Sequence, residues 1–406
     1  MYYHVFILLS LIFFFCGNVG SVALGLPNGL LLTLPLVYGA GLVFVYKRNW
    51  TTVEKQVAWI VGGAILLLCL HYMFAPKDKI IRDVTILFLP ALLISVMPAR
   101  YGLDRQTFKM KHGVAQFLLL FYVAECGIAI SEFASHSHLF GWNDPTYHKG
   151  IVSFAGKDAF RSVSLMGSPL NNALIVTSMM LFYLYDPFST IKRKVVLCML
   201  GLVAVFCFNA RMAIVISVLG ILLFIAKGLY NNRPGRNKYI AVLFIICLVI
   251  GFLYAHGLGT RLWETGNIGK DESIMTRIKL FQYMMDRDWK DYLWGSSQLQ
   301  MQHEMQTAIK VKIVENFWIV YILRFGILST AYFTFFYYRL GRELFRHYPG
   351  FEKTVISTLF IILGSINNSM ASNFTPLFVF LLCAYAYDPI TRLTAIYYPK
   401  DKIEIP

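Results

Sequence analysis

Charge is what this sequence has least of. Only 15% of its 406 residues are Asp, Glu, Lys or Arg, against 57% hydrophobic and 16% aromatic. Soluble domains carry about a quarter charged residues. The chain therefore lacks the polar surface to cover itself in water, and a water-soluble enzyme is excluded. Familiar signatures are missing too: there is no GxxxxGKS/T loop, no GxGxxG leading from strand to helix, and no GxSxG elbow. The seven cysteines (Cys16, Cys69, Cys126, Cys198, Cys207, Cys247 and Cys383) all fall in apolar runs without CxxC spacing. They support neither a disulfide framework nor a thiolate metal site, and read as small apolar packing residues. His136, His138, Asp144 and His148 share a Gly/Ser-rich stretch but form no zinc signature. No metal and no other cofactor is expected. There is no internal repeat and no low-complexity tract, and inverted-repeat symmetry of the transporter kind is not visible. Met1–Cys16 has neither a basic n-region nor a clear small-residue cleavage site, so it reads as a retained first span.

What the sequence does have is long apolar runs. Segments near 20 residues match a hydrocarbon core about 30 Å thick. They predict an all-α polytopic membrane protein, a single integral membrane domain over 1–406, with about twelve spans. These fall near 2–18, 24–46, 56–75, 79–98, 112–132, 163–185, 195–210, 211–227, 238–256, 314–338, 354–369 and 374–388. The runs at 195–210 and 211–227 are short enough to be a re-entrant pair, which would leave ten spans and the same orientation.

The net charge is +15. In a soluble protein that excess would suggest nucleic acid, but the loops account for it differently. One alternating set, from Lys47 to Lys402, holds 21 Lys and Arg, while the short loops of the other set hold 7. Basic residues in short loops mark the cytoplasmic side. Both termini are therefore expected in the cytoplasm, and a nucleic-acid partner is not.

Two loops face outward. The first, about Phe133–Gly156, is rich in His, Ser and Gly. The second, His256–Lys312, is a large extracytoplasmic loop between spans nine and ten. In it Ile274, Ile278, Phe281, Met285, Trp289 and Leu293 recur at helical spacing, predicting an amphipathic helix suited to the membrane face. Long ordered loops commonly carry function.

Basic residues at the outer ends of spans are the informative chemistry. Arg161 opens the sixth span and Arg211 stands at the turn between two apolar runs. Arg277 begins the loop helix, and Arg324 lies nine residues inside the tenth span, roughly 13 Å deep at 1.5 Å per residue. A guanidinium offers a planar fork of donors matched to phosphate oxygens, so these four are candidate diphosphate ligands. For each, interfacial snorkelling or ion pairing is the alternative. Glu315, followed by Asn316, enters the tenth span from the long loop. A partly desolvated carboxylate there suits a general base, the alternative being an N-terminal charge facing the helix dipole. Glu125 and Glu132 lie on the outer half of the fifth span, and for Glu125 an interhelical hydrogen bond or salt bridge is the plainer role. His71 and His303 complete the set.

Four segments, in order, resemble the O-antigen polymerase and O-antigen ligase superfamily of bacterial membrane glycosyltransferases. They are Arg161 followed by Gly167-Ser-Pro169-Leu-Asn171, then Asn209-Ala-Arg211-Met-Ala213. Next comes Arg277-Ile-Lys-Leu-Phe281 leading to Tyr292-Leu-Trp294-Gly295, and last Glu315-Asn316 followed by Tyr321-Ile-Leu-Arg324-Phe325-Gly326. The likeness covers about Arg161–Leu328. Glu315 stands where the ligases place a His, which is more similar to the polymerases; the second Gly of the family's Phe-Gly-x-Gly element is absent, since Ser296-Ser297 follow Gly295, and there is no Arg-x10-Gly pattern.

The resemblance implies a GT-C-related helical fold in the bacterial inner membrane, with the active site facing the periplasm. The substrates it implies are oligosaccharides on undecaprenyl diphosphate, joined into O-antigen or a related surface polysaccharide, without a metal and with a chain-length regulator as a possible further partner. Arg161, Arg211, Arg277 and Arg324 would hold the diphosphate, Glu315 would be general base, and Asn316 would orient the acceptor. A ligase moving the glycan to lipid A-core or protein differs only in acceptor. A lipid or solute transporter would use the same arginines, with broken helices and binding near mid-membrane.

Overall fold

The computed structural model describes residues 62–71, 73, 94, 105–139, 160–231, 235–259, 272–310, 316–366, 370 and 375–389. The spans expected at 2–18 and 24–46 lie outside these residues, as does that at 79–98 apart from Ile94. The described chain is all-helical, with no strand among the described residues. Its helices are α1 (Gly62–His71), α2 (Arg105–Ser135), α3 (Pro169–Tyr185), α4 (Ile191–Cys207), α5 (Arg211–Asn231) and α6 (Arg236–Ala255). The loop contributes α7 (Glu272–Met285), α8 (Trp289–Trp294) and α9 (Gln298–Ala308). The chain continues with α10 (Phe317–Leu344), α11 (Gly350–Ser365) and α12 (Thr375–Ala386).

Among the described residues, four segments are long and apolar enough to cross a membrane: Lys111–Ser135, Arg211–Asn231, Arg236–Ala255 and Phe317–Leu344. These coincide with the runs expected at 112–132, 211–227, 238–256 and 314–338. The 195–210 and 211–227 runs are two full helices joined by the short turn Phe208–Ala210. The expected 163–185 span starts late, at Pro169. Before it, Ser164 (φ 44°) and Gly167 (φ 67°) hold non-helical backbone, and proline at the first helical position fixes the start. The expected loop stripe is one periodic pattern but two helices, because the chain turns at Asp286–Asp288.

Side-chain caps set several other starts. The Thr190 hydroxyl accepts from Arg193 N–H at 3.4 Å to open α4. Ser297 does the same for Gln300 N–H at 3.2 Å in α9. Each replaces a hydrogen bond that a helix terminus cannot make internally.

α3 is the centre of the bundle. It carries no charge, and Asn171–Tyr185 are all buried against α2, α4, α5, α11 and α12. Two of its hydroxyls bond to α5: Thr177 and Ser217 hydroxyls lie 3.1 Å apart, and Tyr185 donates to Gly220 O at 3.0 Å. Close approach uses small residues, as expected between membrane helices. A Cβ on Gly201 of α4 would overlap the Tyr122 hydroxyl, which donates to Leu197 O at 2.7 Å. α6 is peripheral, exposing Ile240, Phe244, Leu248 and Phe252 outward.

The helix ends fall into two sets. At one end Lys111 pairs with Asp388 at 2.8 Å, and His347 reaches the other Asp388 oxygen at 3.2 Å. Lys227 pairs with Glu352 there, and Lys194 stands 5.0 Å above the Phe224 ring. At the opposite end lie the α2 C-terminus, the 160–168 segment, the 208–210 turn and the start of α10. Gly259, after α6, abuts Phe206 and Ile214, and the Trp318 indole donates to Ser365 at 2.7 Å.

Candidate functional site

The polar chemistry of this second end is built around two irregular pieces of backbone. The first is the extended strap Phe160–Ser168. Buried backbone without helical bonds needs other partners, and at membrane depth this is obligatory. Two carboxylates of α2 supply them. Glu132 Oε2 accepts from Val163 N–H at 2.8 Å and Ser164 N–H at 2.9 Å, while Oε1 accepts from Leu139 N–H at 3.2 Å. About two turns deeper, Glu125 Oε2 accepts from Leu165 N–H at 3.3 Å. Its Oε1 is buried and has no hydrogen bond among the described residues. Ser162 and Ser164 hydroxyls donate to the carbonyls of Ala129 and Glu125, at 2.6 and 3.1 Å. The Asn172 amide reaches back to Val163 O. The strap is thus pinned to α2 on one side and to α3 on the other.

Arg161 is part of this strap. Buried, it donates from Nε to Phe208 O at 3.1 Å, and Ser162 N–H donates to Cys207 O at 3.1 Å. These bonds bring Arg161 to the turn in which Asn209 adopts φ 49° and from which Arg211 opens α5. Two motifs 50 residues apart in sequence therefore meet at one corner. Beside them Phe160 stacks on His138 with ring centroids 5.0 Å apart.

The second piece is a crossing between the loop and α10. The tenth span is not one regular helix: Gly326 has φ 80° and ψ 164°, breaking it. Gly295, at φ 76°, lies against the break. The two glycines are reciprocal. A Cβ on Gly295 would strike the Arg324 carbonyl, and one on Gly326 would strike the Leu293 carbonyl. Leu323 O, released from the helical ladder, accepts from both Ser296 N–H (2.9 Å) and Ser296 Oγ (3.0 Å). Glycine alone permits this approach, because it has neither a Cβ to collide nor a penalty at positive φ. From α1, His71 Nδ1 lies 2.9 Å from Trp294 O and its ring meets Phe325 edge-on at 5.7 Å.

Arg324 is buried at this crossing, its guanidinium carbon 5.2 Å from the Phe325 ring centroid. Asn316 is the N-cap of α10, its Oδ1 accepting from Trp318 N–H at 2.9 Å and Ile319 N–H at 3.2 Å. Arg277 lies on α7, with its side chain outside the described residues, as is the whole of Glu315. The described contacts therefore join Arg161 to the Arg211 turn and place Arg324 in a separate crossing.

One basic residue was not singled out from the sequence. Arg287 follows α7, and its nearly buried guanidinium lies 3.4 Å from Glu304 of α9, 3.1 Å from the Tyr283 hydroxyl and 3.4 Å from Ser296 Oγ. Tyr283 in turn donates to Glu304 at 2.8 Å. Burial, reinforced by that acceptor, pushes the Tyr283 phenol up to about 12, with Arg287 opposing. The cluster ties α7 and α9 to the Gly295–Ser296 crossing. Its one local signal was the i, i+4 spacing of Tyr283 and Arg287; the Glu304 partner required the fold.

No family model matches the chain, and no curated protein is similar to it at a significant level. Among the described residues there is no cluster of His, Cys, Asp and Glu able to hold a metal ion.

Proposed function

We propose that the chain is a membrane glycosyltransferase that polymerises glycan repeat units carried on a polyprenyl diphosphate. The observation that supports this best is the corner shared by Arg161 and the Arg211 turn. It lies at the bundle end opposite the Lys111, Lys194 and Lys227 charges. Basic residues favour the cytoplasmic side, so on this reading the corner faces outward, in the bacterial inner membrane, with both termini inside. Fixed guanidinium groups in a low-dielectric site stabilise charge on a departing diphosphate. In the proposed step an acceptor sugar hydroxyl attacks the anomeric carbon of the donor. The carbon–oxygen bond to the diphosphate breaks, Glu315 takes the hydroxyl proton, and the lipid diphosphate leaves. Arg277 and Arg324 are the remaining proposed diphosphate ligands. Transfer to lipid A-core or a protein, as in a ligase, would use the same donor side.

Polymer length in membranes carrying Arg161→Ala, Arg211→Ala or Glu315→Gln, each confirmed as inserted, is the test. Single-repeat products are expected. Wild-type chain lengths in all three would overturn the assignment.

The break at Gly326 favours a second reading, a transporter for an anionic lipid or solute, since such proteins use discontinuous helices within the bilayer. Purified protein in vesicles separates the two. A transporter moves labelled lipid-linked oligosaccharide between leaflets without extending it, whereas a polymerase lengthens it on one side.

A further inference from the structure

The loop helices present an exposed apolar face. Phe281, Met285 and Trp289 are 63%, 73% and 64% exposed, and Ile278 and Trp294 are also exposed. The opposite face is packed inward: Leu280 and Met305 are each 1% exposed, and the polar groups are paired in the Tyr283–Arg287–Glu304 cluster. This is the reverse of a water-facing loop, in which the charged face would be outermost.

The crossing fixes where that face lies. Gly326 is nine residues beyond Phe317, about 13 Å along the helix at 1.5 Å per residue. α10 has 28 residues, so even without its break at Gly326 it would span at most about 42 Å and exceed a 30 Å hydrocarbon core by at most about 12 Å. Even if all of that excess projected from this end, Gly326 would still lie at the hydrocarbon edge, and any more central placement puts it deeper. Gly295 is in backbone contact with it. The tip of a loop 57 residues long is therefore carried down to membrane depth. The apolar exposure of Trp294 also continues onto α10 at Ile327 and Leu328, which face away from the protein.

We propose that α7 and α8 form a re-entrant element immersed in one leaflet, with Ile278, Phe281, Met285, Trp289 and Trp294 in contact with lipid acyl chains and the headgroup boundary. This goes beyond an amphipathic helix resting on the membrane face, and it holds whichever reaction the protein performs. Tryptophans at 289 and 294 suit that boundary, where the ring is buried and the indole N–H stays hydrated.

Spin labels test it. With Cys16, Cys69 and Cys247 replaced by Ala, single cysteines at 281, 285 and 289 are labelled in the full-length protein in phosphatidylglycerol/phosphatidylethanolamine vesicles. Gln302 and Gln306, exposed on α9, are the reference sites. Labels on the apolar face should collide more with oxygen than with a water-soluble nickel chelate, and the α9 labels the reverse. Labels at 281–289 as open to nickel as those at 302 and 306 would overturn the proposal. So would protection from both reagents with a dimer in cross-linking, since a second copy would then cover the face. Should the labelled variants fail to insert, Trp289→Phe and Trp294→Phe serve instead. Each should lower the fraction of tryptophan fluorescence quenched by brominated lipid, and unchanged quenching in both would refute the idea.

Discussion

The strap before α3 depends on one carboxylate, and its removal should be felt at named amides. Glu132 accepts from Leu139, Val163 and Ser164 N–H groups and is itself buried. Glu132→Ala leaves three donors without acceptors. A buried unsatisfied donor costs about 1–3 kcal/mol, so the intact strap would lose at least about 3 kcal/mol, relieved only by opening. Since 1.4 kcal/mol is tenfold, hydrogen exchange in the Phe160–Leu165 peptide should quicken by about a hundredfold or more. Glu132→Gln keeps one acceptor oxygen and loses the charge assistance, so an effect nearer tenfold is expected. Glu125→Gln is the control. It accepts one backbone N–H, the long bond from Leu165, and Oε1 is buried without a hydrogen bond among the described residues, so an uncharged amide should be tolerated with little change. Exchange mass spectrometry in nanodiscs reads all three. Unchanged exchange at 160–165 in Glu132→Ala, or equal effects from the two glutamines, would refute the pinning argument.

Other consequences are equally direct. Gly326→Ala and Gly295→Ala each place a Cβ against backbone carbonyl at positive φ, and the conformation alone costs about 1–3 kcal/mol. Both should lower the unfolding temperature in detergent, and the double variant should cost less than the sum because the two share one contact. Gly201→Ala should destabilise by overlap with the Tyr122 hydroxyl, and Tyr122→Phe should recover part of the loss in a double-mutant cycle. Tyr283 gives a pH effect. Its folded value, about 12, exceeds the ordinary value of about 10. Its contribution is therefore complete below about pH 10 and fades as pH rises towards 12. Proteolytic nicking between Ser297 and Ala308, on the water-facing side, should accelerate over that range in the wild type, and Tyr283→Phe should flatten the dependence.

Composition and period alone determined that the chain is helical and membrane-embedded, and where several helices run. A bilayer imposes that reading locally: twenty apolar residues must satisfy their own backbone, so a helix follows from the segment itself. The bounds of α5, α6 and α10 were legible for that reason, whereas Glu125, read as an interhelical hydrogen-bond or salt-bridge partner, instead accepts from an N–H of the non-helical strap. Only the tertiary structure decided the rest. The strap at Ser162–Gly167 reads as the apolar start of a span, and becomes irregular because two carboxylates thirty to forty residues upstream accept its N–H groups. The break at Gly326 is invisible in a run of hydrophobic residues, since it exists through Gly295 and Ser296 of a loop that hydropathy sets outside the membrane. Arg161 and Arg211 meet through a carbonyl at Phe208, and Arg287 finds Glu304 only after two helices have folded together. Such contacts are made by backbone atoms, which every residue carries, so their partners leave no mark on the pattern of side chains.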